Sequence, residues 1–360
     1  MSAVPAAGLE PPRPGALLLA EIREQPAVLR RLLEHEREYA DVAAHAVRRG
    51  ADLVRMVGHG SSDNAASYGV YAFGLLPGWT ALRDSISLSV YYGAELDVRG
   101  STAIGLSQSG RTPDVVDYLA RSRSRGAFTV AITNDTGAAL ATAAEATLPL
   151  AAGDELAVAA TKTYTAQVAA LALLAGYAAG RGPEIADGIR RTAALLEELV
   201  PVLERRVAEL AVSLAFVGRM FVIGRGPEYA TAREISLKLL ETCRVAAEPL
   251  TATDLVHGPV AALDPLFPVW TIASADEGLP AVREAAARAR EAGATLIASG
   301  VAAAEIAGAA HTLPVPPPPL TLLTPLLSVV PGQLLAWALA QAKGLDPDRP
   351  IGLSKVTLAL

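Results

Sequence analysis

The sequence predicts an α/β protein made of two tandem domains, each a parallel sheet with helices on both faces. First, short β-branched or apolar runs ending in Gly or Ser alternate with helical segments: LVRMVG (53–58), STAIGLS (101–107), FTVAIT (128–133) and ATLPL (146–150). Near-continuous apolar runs of strand length, separated by helices, belong in a parallel sheet covered on both sides. Second, the pattern recurs in RMFVIGRG (219–226), PVWTIAS (268–274), ATLIASG (294–300) and HTLPVP (311–316). Third, MVGHGSSDNAASYG (56–69) aligns with VIGRGPEYATAREI (222–235), each a strand, a Gly-x-Gly and a helix, with Gly58 and Gly224 166 residues apart. A duplicated domain accounts for that offset.

Around this core, residues 15–49 read as one helix, with Leu18, Ile22, Val28, Leu32 and Leu33 on its apolar face and Glu and Arg on the other. The divisions are an N-terminal helical arm (1–45), a first domain (46–182), a charged linker helix (183–210), a second domain (211–345) whose last helix covers about 324–343, and a C-terminal tail (346–360). In the tail, Pro347 and Pro350 forbid helix, and the apolar VTLAL at 356–360 predicts docking.

Composition narrows the function. The chain has 360 residues, 51% of them apolar, which suffices for two packed cores. Net charge is −6 and no basic stripe interleaves with aromatics, so nucleic acid is not an expected partner. The start, MSAVPAAGLEPPRPG, has neither a cationic nor an apolar signal region, which predicts a cytoplasmic protein. Two uncharged stretches, 163–180 and 307–342, are too rich in Ala, polar residues or Pro for membrane spans and are expected inside the protein. Cys243 lies in an apolar helical pattern and is expected to be a packing residue. The five histidines lack metal-ligand spacing, and neither Gly-x-Gly completes Gly-x-Gly-x-x-Gly, since Asp63 and Tyr229 occupy the third glycine's place. No metal or organic cofactor is expected.

Three segments carry chemistry. In AIGLSQSGRTPDVVDYL (103–119) a strand runs into Ser107, Gln108, Ser109 and Gly110, and Thr112-Pro113 opens a helix, with Thr112 as the expected N-cap. Helix amides and the hydroxyls of Ser107, Ser109 and Thr112 suit a monophosphate, and Ser61 and Ser62 add hydroxyls from a neighbouring crest. In the second segment Glu234, Lys238 and Glu241 fall at i, i+4 and i+7 on one helix face, backed by Ile235, Leu237, Leu239 and Leu240. A carboxylate held between packed faces can act as a general acid/base. His257 follows in the turn Asp254-Leu255-Val256-His257-Gly258-Pro259. The third segment is the tail, where Lys355 either faces solvent or meets a sugar carbonyl by charge or as a Schiff base.

Together EIREQP (21–26), VGHGSSDNA (57–65), SQSGRT (107–112), ATKTYTAQ (160–167), AREISLKLLE (232–241), DLVHGP (254–259) and GLSKVT (352–357) resemble the isomerase half of glucosamine-6-phosphate synthase and the stand-alone deaminases of the sugar-isomerase (SIS) superfamily. The resemblance implies two SIS domains with flavodoxin-like sheets and a homodimer with a shared site. It implies that Ser61, Ser62, Ser107, Gln108, Ser109, Thr112, Val158 and Ser354 bind the sugar phosphate. It further implies that Glu241 moves a proton between C1 and C2, that Lys238 contacts the sugar, that Lys355 meets the open-chain carbonyl, and that His257, in one arrangement from the partner subunit, assists ring opening.

The departures point to a reaction. The synthases use an N-terminal nucleophilic cysteine, whereas this chain begins Met1-Ser2, so glutamine is not the expected nitrogen donor. Arg111 followed by Pro113 resembles the deaminase branch, and Ala160 stands where the synthase has a serine. The expected reaction is hydrolytic isomerising deamination of glucosamine 6-phosphate to fructose 6-phosphate and ammonia. A fructosamine-6-phosphate deglycase and a non-catalytic sugar-phosphate sensor are the alternatives. A sensor would leave Glu241, His257 and Lys355 idle.

Overall fold

The computed structural model describes residues 13–355. The arm consists of α1 (Ala16–Leu33) and α2 (Glu36–Arg48). The first domain runs β1 (Leu53–Val57), α3 (Ser61–Leu75), β2 (Thr80–Arg83), α4 (Ile86–Val90), β3 (Ser101–Ser107), α5 (Pro113–Ser124), β4 (Phe128–Thr133), α6 (Ala139–Ala143), β5 (Ala146–Pro149) and α7 (Lys162–Ala178). The long α8 (Gly182–Ser213) leads to β6 (Arg219–Gly224), α9 (Glu228–Cys243), β7 (Ala246–Thr251), α10 (Ala252–Val256), β8 (Val269–Ile272), α11 (Leu279–Glu291), β9 (Leu296–Gly300), β10 (His311–Pro314), α12 (Thr324–Ser328) and α13 (Val330–Ala342).

Each sheet has five parallel strands, ordered β2-β1-β3-β4-β5 and β10-β9-β8-β6-β7. Both are the flavodoxin-like order, whose ligand crevice opens where the strand order reverses, between the carboxyl ends of β1 and β3 in the first domain. The central β3 and β4 are buried at every position, as their unbroken small and apolar runs require. The sequence reading missed β2 and β7. Both are edge strands: β2 is the four-residue TALR, partly exposed throughout, and β7 carries Pro249, which only an edge tolerates.

The duplication extends to geometry: Leu53 and Arg219 open equivalent strands and Thr80 and Ala246 open the equivalent edge strands, each pair 166 residues apart. Both glycines of each Gly-x-Gly have a reason. A side chain at Gly58 would meet Ser62 Cβ at 2.8 Å and Leu106 O at 3.0 Å, and one at Gly224 would overlap the Glu228 carbonyl. The second glycines, Gly60 and Gly226, hold positive φ of 55° and 60°.

The predicted helix over 15–49 is two helices, because His35 leaves helical geometry (φ −97°, ψ 11°). No Gly or Pro marks this break; α1 packs along α7 and α8, whereas α2 packs on α7. The linker is one 32-residue helix that contains Pro201 and lies against α1, α7 and α13. Helix α7, mostly apolar or small apart from Lys162 and Gln167, is buried from Lys162 to Gly176 and packs against α1, α2, α3 and α8. The Thr321–Ala342 run is long and apolar enough to cross a membrane, but 89% of its most apolar 18-residue window is packed inside the protein. One core joins Leu18 of the arm, Met56 and Leu171 of the first domain, and Val222, Trp270 and Leu334 of the second. Cys243 belongs to it; its thiol donates to the Ala336 carbonyl (3.1 Å), and burial pushes its pKa up to about 11. The VTLAL segment lies outside the described residues.

Gly224→Ala is expected to lower unfolding stability by about 1–3 kcal/mol through overpacking against Glu228. Gly74→Ala, where a methyl group meets nothing within 4 Å on an exposed part of α3, is expected to be neutral or slightly stabilising. Urea denaturation of the two variants side by side checks the contrast.

Candidate active site

A cavity of about 540 Å³ opens at the carboxyl ends of β1 and β3, and α9, the segment 155–163 and the tail close it. Its hydroxyl-rich side is built from two strand-to-helix loops. Ser107 Oγ lies 3.0 Å from Thr112 Oγ1 and accepts the Gly110 amide at 3.2 Å, while Ser109 Oγ accepts the Arg111 amide. Gly110 turns the loop at φ 64°, and a side chain there would strike Ala138 and Thr133. Thr112 does not cap α5 as expected; its hydroxyl faces Ser107, and the helix has no side-chain cap. Pro113 does occupy the first turn. Free first-turn amides beside converging hydroxyls make a fitting cradle for an anion. Ser62 accepts a hydrogen bond from Gln167 Nε2 of α7 (2.9 Å), and Ser61 donates to Glu234 Oε1 (2.9 Å).

The α9 face enters from the second domain. Lys238 is fully buried, with Nζ 2.6 Å from Glu241 Oε2, 3.5 Å from Glu234 Oε1 and 3.4 Å from Ser61 Oγ. Burial alone would depress this ammonium, but Glu241 and Glu234 push its pKa up to about 12. Glu241 faces the cavity, whereas Glu234 lies behind Ser61 and Asn64, which also donates to it (2.9 Å). Burial drives the Glu234 carboxyl up to about 7 against the pull of Lys238 and Asn64, and Glu241 raises it further. The group poised near neutrality therefore stands one hydroxyl away from the cavity. Leu240, expected in the apolar backing, is exposed, and Leu237 is only partly buried.

The third wall joins the 155–163 segment to the tail. Lys355 Nζ donates to Glu155 Oε2 (2.8 Å) and the Ala157 carbonyl (2.7 Å). Glu155 is buried, which alone would raise its pKa, yet Lys355 and donors from Thr161 and Thr163 hold it below the usual value. Two tethers aim this loop. Glu21 of α1 accepts the Leu156 and Ala157 amides, and the Val158 amide donates to the Asp348 carbonyl (3.1 Å). The Asp348 carboxylate in turn accepts the Leu17 and Leu18 amides at 3.1 and 2.8 Å, capping α1 across 330 residues of sequence.

Ten expected residues thus line one cavity: Ser61, Ser62, Ser107, Gln108, Ser109, Thr112, Val158, Ser354, Lys355 and Glu241. Lys238 stands directly behind Glu241. His257 is not brought there within the chain; it is exposed at the end of α10. The residues missed are His59, Tyr91, Asp114, Glu155, Thr163 and Gln167. His59 is the middle residue of the first Gly-x-Gly and Asp114 lies in the first turn of α5, whereas Glu155 and Tyr91 carry no local pattern. In the second domain, Glu228, 166 residues after Ser62, is buried at the equivalent position and accepts from Ser274 Oγ (2.7 Å), so the described residues there form no equivalent cradle.

Glu234 gives a signed pH dependence. Its folded pKa, about 7, lies above the ordinary 4.5, so the folded state holds the extra proton between those values. Its contribution to stability is complete below about 4.5 and lost as pH rises through about 7, on the order of 3 kcal/mol at most. Glu234→Gln is expected to flatten stability against pH across this window, which denaturant titrations at pH 5 and pH 8 measure. Parallel pH profiles of the variant and the wild type would refute the assignment.

Comparison with known proteins identifies the domain. The SIS domain model matches residues 49–176 and 213–342. The chain is 34% identical over 349 residues to glutamine–fructose-6-phosphate aminotransferase [isomerizing] of Aeropyrum pernix, covering 94% of this chain and 56% of that protein. The enzyme of the same name from Gloeobacter violaceus is 36% identical over 358 residues, covering 94% and 58%. The chain therefore spans under three-fifths of the length of these relatives. A solved structure from Silicibacter pomeroyi DSS-3, named as a phosphosugar isomerase, superposes with TM-score 0.83 at 32% identity, covering 92% of this chain and 99% of that one. The C-terminal domain of glucosamine-fructose-6-phosphate aminotransferase from Francisella tularensis shares the fold, with TM-score 0.84 at 24% identity and coverage of 96% and 100%. With one SIS domain in each half and this relatedness along nearly its whole length, the chain belongs to the SIS domain family and carries two copies of the domain.

Proposed function

We propose that the chain converts glucosamine 6-phosphate and water to fructose 6-phosphate and ammonia. The reading rests on one observation: Glu241 of α9 and Lys355 of the tail face the same cavity as the hydroxyl loop 107–112. In this reading Ser62, Ser107, Gln108, Ser109, Thr112 and the first amides of α5 hold the phosphate. Glu241 takes the C2 proton of the open-chain sugar and returns one to C1, leaving an imine at C2. Water adds to that carbon, and the C2–N bond breaks with release of ammonia. Lys238 holds the Glu241 carboxylate in place, and Lys355 meets the open-chain carbonyl by charge or as a Schiff base. His257 comes to the site from a second copy in a homodimer and assists ring opening.

A second reading, removal of a bulkier amine from a fructosamine 6-phosphate, draws on the apolar patch of Val158, Ala160 and Leu353 in the cavity wall. It uses the same phosphate cradle and the same glutamate.

The test is release of ammonia from glucosamine 6-phosphate without glutamine, with fructose 6-phosphate followed by a coupled assay. Equal amounts of both products support the deaminase; ammonia or amine release only from fructosamine 6-phosphates supports the second reading. Glu241→Gln is expected to lower turnover by about 10²–10⁴-fold while sugar-phosphate affinity changes little. Wild-type turnover in that variant would remove Glu241 from the mechanism.

A further inference from the structure

At the hydroxyl-rich side of the cavity stands a trio that the reaction scheme above leaves unused. His59, between the two glycines of the first Gly-x-Gly, places Nε2 2.8 Å from Asp114 Oδ2, and the Tyr91 hydroxyl donates to the same oxygen at 3.2 Å. Asp114 is buried, with 6% of its side chain exposed, while 57% of the His59 side chain is open. All three line the cavity. Asp114 follows Thr112 by two residues in the first turn of α5, so His59 is held beside the cradle assigned to the phosphate. A carboxylate only accepts hydrogen bonds, so Nε2 carries a proton, and the ring has one nitrogen left for a ligand. Among the described residues that line the cavity, the basic side chains are His59 and Lys355, and Lys355 is committed to Glu155 and Ala157 on another wall.

We propose that His59, anchored by Asp114, is a phosphate-binding residue whose second ring nitrogen donates to the sugar phosphate, so that ligand binding takes up a proton. The proposal rests on the sugar-phosphate reading of the cavity. Both nitrogens must donate at once, to Asp114 and to the phosphate, and only the imidazolium does so. The other ionisable groups around this loop are already paired. Asp63 meets Arg83 and Arg233, Lys238 lies with Glu234 and Glu241, and Tyr91 donates to Asp114. Glu234 also titrates near 7 but lies behind Ser61 rather than at the phosphate. The proton acquired on binding is therefore placed on His59, and uptake lost in a His59 variant that retains Glu234 separates the two.

The experiment uses the full chain and glucitol 6-phosphate, an open-chain 6-phosphate that cannot react. Calorimetry at pH 6, 7 and 8, in buffers of differing ionisation enthalpy, gives affinity and protons taken up. The phosphate's own titration, which a neighbouring imidazolium shifts, is followed separately by phosphorus NMR of the free and bound ligand so that its proton is not counted as the protein's. His59→Gln keeps a donor for Asp114 but has no second nitrogen. It is expected to bind about tenfold or more weakly at pH 6, to approach wild type at pH 8, and to lose the uptake seen in the wild type. Asp114→Asn, which removes the anchoring charge, is expected to reduce the uptake as well and serves if His59→Gln does not fold. Equal affinities and equal proton uptake in the variants and the wild type would overturn the proposal alone. If the wild type bound neither glucitol 6-phosphate nor glucosamine 6-phosphate at any pH, the sugar-phosphate reading itself would fall.

Discussion

The contact on which the site depends is the packing of α3 against α9, the equivalent helices of the two domain copies. At its centre the buried Glu234 accepts from Ser61 and Asn64, while Arg233 bridges to Asp63 and Ser67. A carboxylate removed from water is tolerated only when donors surround it, so this network admits few alternative registers between the helices. With that register set, Glu241, two turns along α9, arrives at the crevice between β1 and β3. The second domain's leading helix thus brings Glu241 into the first domain's crevice.

Duplication explains why such a helix exists, and divergence explains why the second copy, among the described residues, lacks the cradle. Both copies keep a glycine where the strand meets the helix and a second glycine at positive φ. The first copy then presents Ser62 to the cavity, while the second buries Glu228 against Ser274. Burial pushes the Glu228 carboxyl up toward its neutral form, and its bulk takes the place of the small hydroxyl that the first copy offers to a ligand. The second domain is left to support α9, and the continuous core shared by the arm and both sheets keeps it in place.

The remaining wall is a ring of long-range tethers. Asp348 caps α1 and accepts from Val158, Glu21 of α1 holds the amides beside Val158, and Lys355 returns to Glu155 and Ala157. Segments distant in the chain thus fix one another, and the tail lysine has a defined position without belonging to a sheet or helix.

The fold and much of the site were legible in the amino-acid order because they rest on local chemistry. Strand-length apolar runs specify central strands, a repeated Gly-x-Gly reveals duplication, and Ser, Thr and Pro at a strand's end mark the start of a helix. Helical spacing alone places Glu234, Lys238 and Glu241 on one face. The edge strands β2 and β7 escaped because edges need little apolar content, and the turn at His35 escaped because packing rather than Gly or Pro causes it. Only tertiary structure decided that Thr112 turns to Ser107 instead of capping α5, that His59 and Asp114 meet, and that Glu155 receives Lys355 from 200 residues away. The physical reason is that burial and charge pairing depend on what lies opposite a residue, and a sequence specifies opposites only after the whole chain has packed.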